Sequence, residues 1–177
     1  VKIYIDGILS LGTGALKSDY KKDLGLFSQY PRGFLYFDQQ TLENYVRDLE
    51  KAGFQMHFHV TGDRAASLAL DSVQAAALAN QSTDRRHRIT HLYLVDPEDQ
   101  KRFKDLGVVA DFQMAEDALT DTYYNFVEEY TGLTGSLLPL KSMSALGGRI
   151  TISSDWDANR LSPFEKIQNI LTEGDLT

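Results

Sequence analysis

Five times along this chain a short run of β-branched and aromatic residues gives way to a longer stretch whose apolar residues recur at helical spacing. VKIYI leads through a long loop to a helical stretch at about residues 39 to 52, closed by Gly53. FQMHFHV leads to an alanine-rich helix from Asp63 to about Ala79, alanine being the strongest helix former. HRITHL precedes DPEDQKRFKDLG, whose acidic start, Pro97 in the first turn and closing Gly107 mark the two ends of a helix. GVVADFQ is the fourth strand. After a polar and aromatic stretch at residues 114 to 135, SLLPLKSMSALGG reads as a short helix, RITISS as the fifth strand and SPFEKIQNIL as a closing helix.

Such alternation predicts an α/β protein with a parallel sheet and right-handed crossovers. Five units fit an open, doubly wound sheet of the flavodoxin type. They fit equally well as five of the eight units of a (β/α)₈ barrel. Within 177 residues there is no Pro/Ser-rich linker and no shift of composition, so residues 1–177 read as a single domain.

Composition narrows the function classes. A formal net charge of -7 disfavours nucleic acid and anionic membrane surfaces as partners, because both select basic faces. There is no cysteine, which removes disulfides, thiolate metal sites and cysteine nucleophiles. No signal peptide or membrane-spanning run is visible, and the expected location is cytoplasmic. The chain opens on Val1, directly in a strand-like run, and so reads as cut from a longer one.

The chemistry gathers at the C-terminal ends of the predicted strands, where α/β proteins place their ligand sites. Those ends carry Lys2, His59, His91, Gln113 and Asp155 on the five strands in turn. Imidazoles and a carboxylate suit zinc and related divalent ions, and a lysine joins such a set only as a carbamate. In FQMHFHVTGDRA, His57 and His59 stand two apart and share a strand face, with Gly62 and Asp63 forming the turn into the next helix. Each residue also has a plainer reading: Lys2 as a solvated chain end, His91 as a core histidine, Asp155 as a turn or N-cap residue. No HExxH zinc helix and no GxSxG elbow is present. DGILSLGTGAL lacks the Gly-Lys-Ser/Thr ending of a phosphate loop and reads as an ordinary loop, and DRRHR reads as a solvated connection.

Taken in order, VKIYIDG, HFHVTGDRA, DRRHRITHL with VDPED and FKDLGVV, and GGRITISSDW resemble the amidohydrolase family 3 branch of metal-dependent hydrolases over almost the whole chain. The resemblance implies a (β/α)₈ barrel that hydrolyses amide or other non-peptide carbon-nitrogen bonds of small molecules, using one or two divalent ions, zinc first among them. It matches Lys2 to the carboxylatable lysine of the fourth barrel strand and His59 and His91 to metal ligands on the fifth and sixth. Gln113 marks the seventh strand, and Asp155 matches the eighth-strand aspartate that binds metal and carries the proton. His91 and Asp155 are thus the expected catalytic residues, and Lys2, His59, His91 and Asp155 the expected metal ligands.

Two departures from the pattern stand out. Where the family commonly continues the seventh strand as Gln-Pro followed by a histidine, this chain has FQMAEDALTD. The first-strand His-x-His pair is also missing, and HFH is not that pair, because too few residues follow His59 for seven further units of about 30 residues each. His57 is therefore expected to pack against His59 or orient it. By this reading residues 1–177 are the C-terminal five units of a longer enzyme, inactive and weakly metal-binding alone, with open sheet edges that allow a homo-oligomer. The competing expectation is a non-catalytic, open five-stranded α/β module for binding or assembly.

Overall fold

Five strands form one parallel sheet in the order in which they occur along the chain. They are β1 (Lys2–Tyr4), β2 (His57–Val60), β3 (Arg88–His91), β4 (Val109–Gln113) and β5 (Arg149–Ser153). The computed structural model describes residues 1–22, 24, 29–113, 121–158 and 161–173. A flavodoxin-type sheet would fold back past its first strand. Here every strand pairs with its sequence neighbours, and the sheet is an arc of five (β/α) barrel units.

The helices between strands follow the start and stop signals of the sequence. Helix α1 (Gln39–Lys51) is capped by Asp38, which accepts the Thr41 N–H at 2.9 Å, and buries Leu42 and Val46 one turn apart. Helix α2 (Asp63–Asn80) buries one alanine-rich face, including Ala65, Ala66, Ala69, Val73 and Ala76. Helix α3 (Pro97–Leu106) is capped by Asp96, and Gly107 stops it in the left-handed region at φ 68°. Helix α4 (Asp121–Tyr130) occupies much of the stretch without clear periodicity, and α5 (Leu140–Ala145) and α6 (Pro163–Glu173) flank β5. Among the described residues no helix is long and apolar enough to cross a membrane.

Register gives the sheet two unlike faces. One alternation places Phe58, Val60, Ile89, Ala110 and Phe112 together, all of them fully buried in the core. Burial of each large apolar side chain among them stabilises the fold by about 1.5–3 kcal/mol. The other alternation is mostly polar. One row runs Lys2, His57, Arg88, Val109, Arg149; the next runs Tyr4, His59, Thr90, Asp111, Thr151. At its centre Asp111, 1% exposed, accepts bonds from Thr151 at 2.7 Å and from Thr90 and Ser153, each at 3.1 Å. A polar sheet face is retained only where something polar is to be bound or bridged, because burying it otherwise costs free energy.

At the N-terminal end of the strands, the DRRHR segment departs from the solvated connection expected of it. His87 is buried; its Nδ1 accepts the Met56 N–H at 3.3 Å and its Nε2 donates to Glu50 Oε1 at 3.1 Å. Arg85 lies 3.2 Å from the same carboxylate oxygen. A strand-helix junction is tied down here by charge and imidazole together.

Candidate functional site

The opposite end of the sheet opens on a cavity of about 370 Å³ whose lining includes Lys2, His59, His91, Gln113, Asp155 and Tyr93. His59 and His91 are its centre. Each is only 8% exposed, and their rings meet edge to face with centroids 4.5 Å apart. Tyr4 packs on the far side of His59 at 4.9 Å, and Tyr93 stacks beyond His91 at 6.3 Å.

His59 faces the cavity because it alternates with Phe58 and Val60, which face the helices. His91 cannot do so by alternation, since register pairs it with Val60. The backbone supplies the reversal: His91 and Leu92 have φ of 71° and 53°, which brings the side chain round to the His59 side. Asp155 lies beyond β5 with φ 54°. Histidine and aspartate are among the non-glycine residues that enter the left-handed region most readily. Lys2 begins β1 rather than ending it, one row below His59, and its Nζ lies 5.4 Å from the centre of the Tyr4 ring on the way to the cavity. A long aliphatic stem permits that climb.

Both rings are held by backbone carbonyls. His59 Nε2 lies 3.0 Å from the Gly7 carbonyl oxygen, and His91 Nδ1 lies 2.9 Å from that of Gln113. A carbonyl can only accept, so those nitrogens carry the ring protons, leaving Nδ1 of His59 and Nε2 of His91 with lone pairs. Burial disfavours the charged imidazolium in both. It holds His59 below its ordinary pKa and pushes His91 down to about 4, with the neighbouring His59 adding to the effect and Asp155 opposing it. Two neutral imidazoles, oriented by carbonyls and offering free lone pairs, suit a divalent cation. Among the described residues, no three His, Cys, Asp or Glu side chains gather closely enough to hold one.

His57 stands one row deeper, level with Lys2 and Arg88, and its Nε2 is buried without a hydrogen-bond partner among the described residues. The group that orients His59 is the Gly7 carbonyl. Residues 114–120, which carry most of the FQMAEDALTD departure, lie outside the described residues.

Sequence reading passes over Asp6, Thr61 and Asp111. Asp6 is completely buried and accepts from the backbone N–H groups of Ala15 (2.8 Å), Thr61 (2.9 Å) and Gly62 (2.8 Å) and from Thr61 Oγ1 (3.1 Å). Burial pushes its carboxyl up to about 7 against those four donated bonds. Three of these four partners are backbone N–H groups that only donate, and they reach both carboxyl oxygens; the Thr61 hydroxyl shares its one hydrogen between Asp6 and the Gly7 carbonyl. The loop after β1 thereby closes onto the turn between β2 and α2. Packing there is so tight that a Cβ on Gly62 would lie 2.1 Å from the Ala15 carbonyl oxygen. Asp111 was legible in principle, since it stands two residues before Gln113 and shares its face.

The depressed His91 pKa sets a pH dependence. Between about 6.5 and 4 the unfolded chain binds a proton at this residue that the folded chain does not, so stability falls as pH falls through that window. The expected loss for metal-free protein is roughly 3 kcal/mol from His91. Urea unfolding of wild type and His91→Asn from pH 7 to pH 4 checks it; a difference between them that does not change with pH would count against this account.

Comparison with known proteins supplies the remaining context. A family model described as the amidohydrolase family matches residues 1–176. Protein LONG AFTER FAR-RED 3 of Arabidopsis thaliana is 28% identical over 174 residues, covering 95% of this chain and 28% of the relative. Uncharacterized metal-dependent hydrolases from Pyrococcus furiosus and Pyrococcus horikoshii OT3 superpose on 98% of this chain with a TM-score of 0.80 at 22% identity. The chain spans 34% and 33% of their lengths, and a likeness of that kind shows the shared fold.

Proposed function

This chain belongs to the amidohydrolase family, and from that premise we propose that it contributes the C-terminal strands and half of the catalytic centre to a hydrolase of amide or other non-peptide carbon-nitrogen bonds in small molecules. The observation that carries the proposal is the pair His59 and His91, side by side on one cavity with Asp155 and Lys2. His59 Nδ1 and His91 Nε2 would hold a divalent cation, zinc first among candidates, with Asp155 and a carboxylated Lys2 completing this chain's share. Such an ion, when bound, acidifies water enough for it to lose a proton near neutral pH and polarises a carbonyl oxygen. Zinc needs about four ligands, so these donors would serve one ion, and the proposal assigns the further ligands that a second ion requires to parts of a longer protein.

The residues then divide the work. Asp155 takes a proton from the attacking water and returns it to the leaving amine nitrogen, a role open to a carboxylate at the cavity wall. His91, neutral and with its single N–H directed at Gln113, offers a lone pair and not a hydrogen, so it serves as a ligand before it can serve as a donor to the substrate carbonyl. Tyr4 and Tyr93 flank the two imidazoles.

The test is elemental analysis of the purified full-length protein, with an assay against N-formyl and N-acyl amines. Stoichiometric divalent metal and turnover that disappears with chelation are expected. Metal-free protein without turnover after zinc is added back would replace this reading with that of a non-catalytic binding module.

A further inference from the structure

Asp6 lies behind the cavity and Thr61 on its wall, and the clasp they form ends on the same carbonyl that holds His59. Thr61 Oγ1 lies 3.1 Å from Asp6 Oδ2 and 2.9 Å from the Gly7 carbonyl oxygen. That carbonyl is the group 3.0 Å from His59 Nε2. Asp6 also accepts the backbone N–H groups of Thr61 and Gly62, so the segment that follows His59 and the segment that holds its ring are fixed by one carboxylate. Gly7 leaves no freedom on its other side, since a Cβ there would lie 2.2 Å from Thr13 Oγ1. The Thr13 hydroxyl in turn bonds the Ile8 backbone at 2.8 Å.

We propose that Asp6 and Thr61 are positioning residues that set the tautomer of His59, by anchoring the Gly7 carbonyl where it accepts a proton only from Nε2 and so leaves the Nδ1 lone pair facing the cavity. An imidazole in water populates both tautomers. One fixed carbonyl removes the wrong one, and a ring so fixed binds a cation without first reorienting. The inference rests on the reading of His59 as a ligand only in its consequence for metal; the tautomer itself is a property of the metal-free protein.

The experiment uses full-length protein with ¹⁵N-labelled histidine and the variants Thr61→Val, Thr61→Ala and Thr61→Ser, each shown by circular dichroism to be folded. In metal-free wild type, His59 should appear as the Nε2–H tautomer. Thr61→Val and Thr61→Ala should shift it toward a mixture and weaken Zn²⁺ binding by about 10- to 100-fold, and Thr61→Ser should restore both. Thr61→Ala serves where valine prevents folding. A His59 that stays Nε2–H in folded variants lacking the hydroxyl overturns the proposal, as does an equal loss in Thr61→Ser. A tautomer change across the variants, with wild type that takes up no zinc, supports the positioning role and instead defeats the reading of His59 as a metal ligand.

Discussion

In full-length protein, His91→Ala and Asp155→Ala should each reduce hydrolysis by roughly 10³-fold or more, whereas His57→Ala should retain activity within about 10- to 100-fold of wild type. The difference follows from position. His91 touches His59 ring to ring and lines the cavity. Asp155 lines it too, and its charge raises the proton affinity of both imidazoles. His57 sits one row below with its Nε2 unpartnered, so no bond described in the structure fails when that ring is removed. Steady-state kcat/KM for the three variants, with metal content measured on the same samples, provides the check. Complete and equal loss in all three would show that His57 is as indispensable as the residues above it.

The second large effect concerns folding. Asp6→Ala should lower the unfolding free energy by about 3 kcal/mol or more, out of the roughly 5–15 kcal/mol that a typical domain has. Two terms oppose each other. Removing a buried carboxylate relieves its desolvation, which the upward shift of its pKa to about 7 registers. It also strands the N–H groups of Ala15, Thr61 and Gly62 in a packed junction, at about 1–3 kcal/mol each. The three losses exceed the relief, because Gly62 against Ala15 leaves little room for the chain to rearrange. Asp6→Asn should fail similarly, its amide NH₂ replacing an oxygen where only donors converge. Urea unfolding of wild type and both variants decides it, and midpoints indistinguishable from wild type would show that the clasp does not support the fold.

Much of this architecture was readable before any coordinates. Asp96, Pro97 and Gly107 announce α3 by their chemistry, and they end it where the sequence says. Alternation in FQMHFHV places His59 opposite Phe58 and Val60. Alternation fails at His91, because facing depends there on a positive φ that no local pattern signals. Asp6 escaped for a different reason: its partners lie 9 to 56 residues away, and a lone aspartate before a glycine looks like any turn. His87 was misjudged because the arginines around it suggested solvent, while Glu50, 37 residues earlier, makes its burial tolerable. The choice between a doubly wound sheet and a barrel arc was likewise a matter of which strands meet, and periodicity within strands carries nothing about that.

The sequential order of the strands has a consequence for how the molecule comes to exist. Among the described residues each strand pairs with its immediate neighbours along the chain. During synthesis from the N-terminus, each of β2 to β5 therefore leaves the ribosome with a partner already present. Loop closure is limited to one βα unit at a time, which keeps its entropic cost small. Order of translation and order of assembly coincide, so the growing sheet always offers one fresh edge, at its newest strand.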